Sequence, residues 1–319
     1  MKIETEPCLP WQQRVGNQRD WVWRGWQTRY TFLRDPQTPI ETPPLILLHG
    51  FGASIGHWRH NITELGQSHA VYALDMLGFG ATEKPITTYN VSLWVDQIYD
   101  FWQTLIRKPV VLVGNSIGSL VCMAAAAAHP EMVQGIVMMS LPDPHLEADL
   151  VPAPLRPLVM LTKKVVAALL MPAFYVVRRP GFVRQWAGVA YANPEAVTDE
   201  LVEILVGPAQ DRGAVGAFAA IFKGMSLPEP GLSARLLLPT LTIPILLIWG
   251  KQDRMVPYPL ARPQQFIQYN PRLTLIELED CGHCPHDECP EPVNQAILEW
   301  IKSWSRDLVD SPEQDKIEV

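Results

Sequence analysis

Six short apolar runs punctuate the chain, at residues 44–48, 69–75, 110–113, 133–139, 243–248 and 273–278. Runs of this length, rich in valine, isoleucine and leucine and bounded by glycine, proline or aspartate, predict strands buried on both faces of a parallel sheet. A further strand is read at 26–32, where WQTRYTF alternates apolar with polar positions. Between the runs the period changes. Residues 91–106 place Leu93, Val95, Ile98, Phe101, Trp102 and Leu105 on one broad helical face, and 120–128 is a helix of small residues that fits close against a sheet. Val293, Ile297, Trp300 and Ile301 give 292–304 the spacing of a closing helix. Strand and helix alternating in this way predict an α/β fold, a mostly parallel, doubly wound sheet with its functional residues at the carboxyl ends of the strands.

The alternation stops between residues 145 and 238. A structureless loop of that length is implausible inside a compact domain, so the stretch is read as an inserted helical cap, 145–238, on a core formed by 1–144 and 239–319. Its first part contains PLVMLTKKVVAALLMPAFYVV, ending at Val177 and closed by Arg178-Arg179. Lys163, Lys164 and Pro172 argue against a membrane span. Two readings stand: a packed helix lining the site, and an interfacial element that rests on a membrane or lipid surface through an apolar face with basic flanks. Residues 218–222 with Met225 are assigned to the same cap. Trp11, Trp21, Trp23 and Trp26 crowd the beginning of the chain, and Trp21, Trp23 and Arg24 read either as an aromatic docking surface or as an edge strand packed onto the body.

Composition narrows the function classes. A net charge of -7 without a basic stripe disfavours nucleic-acid binding. The first residues lack the apolar core of a secretory signal, which predicts a soluble, cytoplasmic protein. Five cysteines, an odd number, suit free thiols in a reducing compartment.

The chemistry is carried by loops that follow the strands. After residues 110–113 comes Gly114-Asn-Ser-Ile-Gly118, a G-x-S-x-G pattern that predicts a tight strand-to-helix turn presenting Ser116 as a nucleophile. A hydroxyl attacks only when a base accepts its proton and the developing oxyanion is met by N–H donors. His49-Gly-Phe-Gly after the strand at 44–48 offers the Phe51 N–H, and the turn itself offers the Ile117 N–H. Asp253, beyond 243–248, and His283, beyond 273–278, complete the order serine, acid, base; Asp143 is an alternative acid. Asp75 precedes the turn and is read as structural. Cys281, Cys284, His286 and Cys289 carry metal-ligand types, but no second C-x-x-C accompanies them, so free thiols and no metal or cofactor are expected.

LLHGFGAS, DMLGFG, VLVGNSIGS, WGKQDRMVP and CGH, in this order over roughly residues 27–305, resemble the α/β-hydrolase superfamily. Within it, SLWVDQIYDFWQTLIRKPVVLVGNSIGS and the W-x-W segment near the start resemble pheophytinase-like hydrolases of photosynthetic organisms, which remove the phytyl ester from chlorophyll derivatives. The resemblance implies an α/β-hydrolase fold and an ester with a long apolar chain as the small-molecule substrate. It departs at Ser119, where a further glycine is common. The G-N-S of the turn also resembles meta-cleavage product hydrolases, which cut carbon–carbon bonds with the same three residues, and a non-catalytic apolar-ligand module on this fold is the third alternative.

Overall fold

A computed structural model describes residues 9–143, 171–225 and 232–309. Its centre is one sheet of β1 (Asn17–Trp23), β2 (Trp26–Leu33), β3 (Leu45–Leu48), β4 (Val71–Leu74), β5 (Val110–Asn115), β6 (Val133–Met139), β7 (Ile245–Gly250) and β8 (Leu273–Leu278). They lie in the order β1-β2-β4-β3-β5-β6-β7-β8. β1 and β2 pair antiparallel at one edge, β2 joins β4 antiparallel, and every pairing from β4 to β8 is parallel. The predicted mostly parallel, doubly wound α/β sheet is therefore present.

The period-2 geometry of strands explains why the apolar runs are continuous. Ile46, Leu48, Val110, Leu112, Ile136, Met138, Ile245 and Leu247 face one buried cluster, shared with Trp94, Ile98, Leu120 and Val121 of helices Val91–Leu105 and Ile117–Ala128. Their neighbours Leu45, Leu47, Val111, Val113, Val137, Met139, Leu246 and Ile248 face a second cluster, closed by Ile62, Val293, Ile297 and Trp300. With both sides covered there is no polar face to alternate with.

The helix predicted at 91–106 runs Val91–Leu105, started by the Asn90 side chain accepting from Leu93 N–H at 2.9 Å. Its buried face is rotated from the expected one: Trp94 and Gln97 are inside, whereas Leu105 is exposed. β1 shows no apolar period because only Trp23 of its residues is buried. Trp23 donates to Asp100 at 2.7 Å and Trp21 meets Phe101 edge-on at 5.5 Å, so these aromatics pack an edge strand rather than form a docking surface.

Between β6 and β7 the described residues are helical: 171–177, Pro180–Ala190, Asp199–Val206, Ala214–Met225 and Ala234–Leu237. The apolar segment from 155 to 170 lies outside the described residues, as does the tail from Asp310. No described helix is long and apolar enough to cross a membrane.

Cysteine chemistry differs from the sequence expectation. Cys281 and Cys289 form a disulfide across a separation of 8, while Cys122 and Cys284 are free and buried. The expectation of free thiols around His283 is thus corrected for two of the three cysteines there. It failed because spacing alone does not fix pairing; the turn at 281–289 brings those two Cα atoms to 6.6 Å. Bonded sulfurs are not thiolates, which removes two of the donors a zinc reading needs.

Leu112, fully buried in the middle of the sheet, tests how far the core tolerates loss of volume. Leu112→Ala should lower unfolding free energy by about 2–5 kcal/mol, read from urea denaturation, and a change below about 1 kcal/mol would contradict the packing described.

Candidate active site

The turn after β5 is built by steric exclusion. Ser116 has φ 54° and ψ -117°, a left-handed conformation that strains any residue with a side chain. It persists because neighbours hold it on every side: Ser116 N–H donates to Met139 O at 2.8 Å, and a Cβ on Gly118 would stand 2.1 Å from Leu48 O. A Cβ on Gly114 would meet the Gly118 carbonyl carbon at 2.3 Å. Both glycines of the motif are thus required by close backbone approach. Ser116 remains partly accessible although the strand before it and the first turn of helix after it are buried.

Ser119, the departure from the resemblance, has a structural task. Its buried hydroxyl accepts from Met139 N–H at 2.9 Å and lies 2.9 Å from both Gly114 O and Met139 O, one of which takes its proton. It thereby clamps the first turn of helix Ile117–Ala128 to β6.

The loop after β3 abuts this turn: a Cβ on Gly50 would lie 3.3 Å from Ser116 Cβ. His49 fixes the loop. Met76 N–H donates to His49 Nε2 at 3.1 Å, so the imidazole proton sits on Nδ1 and donates to Gly50 O at 2.8 Å. Among the described residues the Phe51 and Ile117 N–H groups have no hydrogen-bond acceptor, as expected of donors directed toward a substrate oxygen. Asp75 is structural as read, accepting from Ile55 N–H and Ala81 N–H at 2.7 Å each, and burial raises its pKa to about 6.

Asp253 and His283 come together from the loops after β7 and β8. His283 Nδ1 lies 2.8 Å from Asp253 Oδ2, while Asp253 Oδ1 accepts from Met255 and Val256 N–H at 2.8 Å each. The carboxylate is therefore fixed on both oxygens and holds the imidazole with its Nε2 turned away. The loop of His283 is bonded to two bodies: Asn115, beside Ser116, donates to His283 O at 2.9 Å, and His283 N–H donates to Ala190 O at 2.7 Å. Asp143, the alternative acid, accepts from Ala234 N–H at 3.2 Å.

Sequence reasoning missed a buried polar network outside this set. Arg59 joins Asp287 at 2.5 Å and Glu200 at 2.8 Å, and Glu200 also pairs with Arg14. Tyr191 donates to Asp287 and accepts from His57 Nε2 at 2.8 Å. Burial pushes the Tyr191 hydroxyl up and His57 down to about 4; His286, tilted against Trp58 with ring centroids 4.2 Å apart, is pushed well below its ordinary value. These partners lie up to 228 positions apart, and nothing in their local sequence signals the pairing.

In the loop after β3, Phe51 meets Phe79 at 5.9 Å and Phe218 at 5.7 Å, and Phe218 meets Phe174 at 5.0 Å. These rings line a crevice with Leu205 and Ile221. Among the described residues no group of histidines, cysteines and carboxylates is arranged to hold a metal ion.

Residues 45–296 match the sequence model of the alpha/beta hydrolase family. Chloroplastic pheophytinase of Arabidopsis thaliana is 27% identical over 82% of this chain, and the match spans 62% of that relative's length. Epoxide hydrolase 4 of Homo sapiens is 24% identical over 83% of this chain and 74% of its own. Among solved structures, a meta-cleavage product hydrolase superposes with a TM-score of 0.70 at 23% identity, covering 91% of this chain and 99% of that one.

Two outcomes follow from the geometry. Ser119→Ala removes the hydroxyl that bridges Gly114 O and Met139 and should cost about 1–3 kcal/mol of stability in urea denaturation; an unchanged midpoint would show the clamp to be idle. The second concerns acid. Burial lowers His49 and His57 to about 4 and His286 further, while Asp75 is raised to about 6. Each histidine contributes stability that is complete above about pH 6.5 and lost as pH falls toward 4; Asp75 has the opposite sign, its contribution being lost as pH rises through 6. His60 and His69, also lowered by burial, act in the same direction as these three, so the histidines outweigh Asp75 and stability should fall as pH drops from about 6.5 toward 4. Denaturation midpoints that stay level between pH 7 and 5 would refute this.

Proposed function

The chain belongs to the alpha/beta hydrolase family and is a hydrolase, and from that premise we propose that it is a serine hydrolase cleaving a carboxylic ester that bears a bulky apolar group. Ser116 Oγ attacks the ester carbonyl carbon while His283 takes its proton. The oxyanion is met by the Phe51 and Ile117 N–H groups, and Asp253 stabilises the imidazolium. Collapse of the tetrahedral adduct breaks the bond to the alcohol oxygen, which leaves with the proton from His283. Water, deprotonated by His283, then attacks the acyl-enzyme, releasing the acid and restoring Ser116. The observation that carries the reading is the 2.8 Å Asp253–His283 pair, in a loop tied by Asn115 to the strained turn that presents Ser116. All groups come from the chain itself.

The substrate class is argued from the crevice. In this reading the helices between β6 and β7 act as a cap over the turn, and the rings of Phe51, Phe79, Phe174 and Phe218 favour an aliphatic or aromatic group by burial of apolar surface. The relative named pheophytinase supports a phytyl ester of a chlorophyll derivative as the first substrate to try. Carbon–carbon cleavage is the second reading, favoured by the similarity to a meta-cleavage product hydrolase, since the same three residues serve both reactions.

Two measurements test this. A panel of phytyl ester, short aryl ester, vinylogous diketone and aryl epoxide should show turnover of the esters, highest for the apolar ones; turnover of the diketone or epoxide alone would overturn it. Wild type should label with a fluorophosphonate and Ser116→Ala should not, with ester turnover reduced at least about 10⁴-fold in that variant. A folded wild type that neither labels nor turns over any ester would make the protein a binding module.

A further inference from the structure

Helix Pro180–Ala190 buries the side opposite to the one its composition leads one to expect. Ala187 and Ala190 face inward, in a cluster with Tyr191, Val197, Leu201 and Val202. Phe182, Trp186 and Val189, spaced i, i+4 and i+7 on one face, point outward with 39%, 52% and 41% of their surface exposed. The preceding helix, 171–177, does the same with Met171, Tyr175 and Val176, each about half exposed, while Phe174 turns inward. One exposed tryptophan is ordinary; six large apolar side chains on two consecutive helices are a surface that something covers.

Charge identifies the occupant. From Met171 to Ala190 the chain contains Arg178, Arg179 and Arg184 and no aspartate or glutamate, within a protein of net charge -7. The Arg178 guanidinium lies over the Tyr175 ring at 4.7 Å, and Arg179 beside it is exposed. Arg184 is paired with Asp199. A second copy of this chain on the same face would set these arginines against one another across a two-fold axis. An anionic lipid surface opposes the charge and accepts tryptophan and tyrosine at its headgroup level.

We propose that the outward face of helices 171–177 and Pro180–Ala190 seats the protein on an anionic phospholipid membrane, with Met171, Tyr175, Val176, Phe182, Trp186 and Val189 in the headgroup and upper acyl region and Arg178 and Arg179 against phosphate groups. The helix that meets lipid is also the one that carries Phe174 onto Phe218, 5.0 Å away, beside the oxyanion loop. An apolar molecule leaving the bilayer at this point meets the crevice without crossing water. The placement stands on exposure and charge alone and does not depend on the ester reading.

The test is co-sedimentation of the full chain with vesicles of phosphatidylcholine, alone or mixed with phosphatidylglycerol, at low and high salt. Wild type is expected to pellet with the mixed vesicles, to do so less at high salt, and to bind phosphatidylcholine alone at least about tenfold more weakly. Phe182→Ser combined with Trp186→Ser should lose at least about tenfold of the partition coefficient while keeping the near-ultraviolet circular dichroism and melting temperature of a folded protein. Because both residues are exposed, folding should survive; if it does not, Phe182→Ser alone is read in the same way. Wild type remaining in the supernatant, equal binding to both vesicle types, or a folded variant that partitions like wild type would overturn the proposal. So would a wild-type dimer in sedimentation velocity that the variant converts to monomer, which would assign the face to a second copy.

Discussion

The site depends on a contact that leaves no room for a side chain: the backbone of Gly118 lies against the carbonyl of Leu48, so closely that a Cβ would stand 2.1 Å from its oxygen. That approach brings the end of β3 and the start of the helix after β5 together. It makes the left-handed Ser116 a local cost carried by the surrounding fold rather than a defect. The same approach brings the loop of Phe51 beside the turn, the two loops following neighbouring strands of the sheet. Ser119 then secures the turn from below through Met139. A further glycine there would remove this bridge, so in this chain the serine is part of how the strained turn is held.

Around the turn lies a second layer of constraint, made of charges. Arg59 and Asp287 are both buried, a costly placement unless each is fully partnered. Here Arg59 also meets Glu200, and Asp287 also accepts from Tyr191. The partners come from three places: the segment after β3, the helices between β6 and β7, and the short turn that follows His283. Removing Arg59 or Asp287 strands the other's charge in low dielectric, so the network fixes how those three pieces sit against one another. His57 belongs to it as a neutral imidazole, donating through Nε2 to Tyr191.

What the sequence made legible follows from which forces act locally. The strands at 133–139 and 273–278 were read with their observed limits, because runs of β-branched and aliphatic residues between turn-forming ones have few other folded uses. The pairing of Asp253 with His283 was legible because the topology of a parallel sheet delivers residues after successive strands to one edge. β1 was harder, since as an edge strand with one buried residue it has no apolar period. The face of Val91–Leu105 was turned because Trp94 and Gln97 are drawn inward by hydrogen bonds to Leu77 O and from Leu77 N–H, long-range contacts that periodicity cannot anticipate. The Cys281–Cys289 bond and the Arg59–Asp287 pair belong to the same class. Each is decided by where a turn places two side chains, and composition carries no record of it.

The loop of His283 joins these layers. Its carbonyl accepts from Asn115, next to Ser116, and its N–H donates to Ala190, the last residue of helix Pro180–Ala190. Gly282 N–H and Asn193 N–H both donate to the Glu288 carboxylate, so the segment after that helix and the turn after His283 share one acceptor. The position of His283 relative to Ser116 is consequently set from the core on one side and from the inserted helices on the other. A displacement of the helix at 180–190 would pull on the His283 backbone directly, whereas Asp253, held by Met255 and Val256 N–H, would stay with the core. The insertion is thus mechanically part of the site, through main-chain bonds that substitution of surface side chains leaves in place.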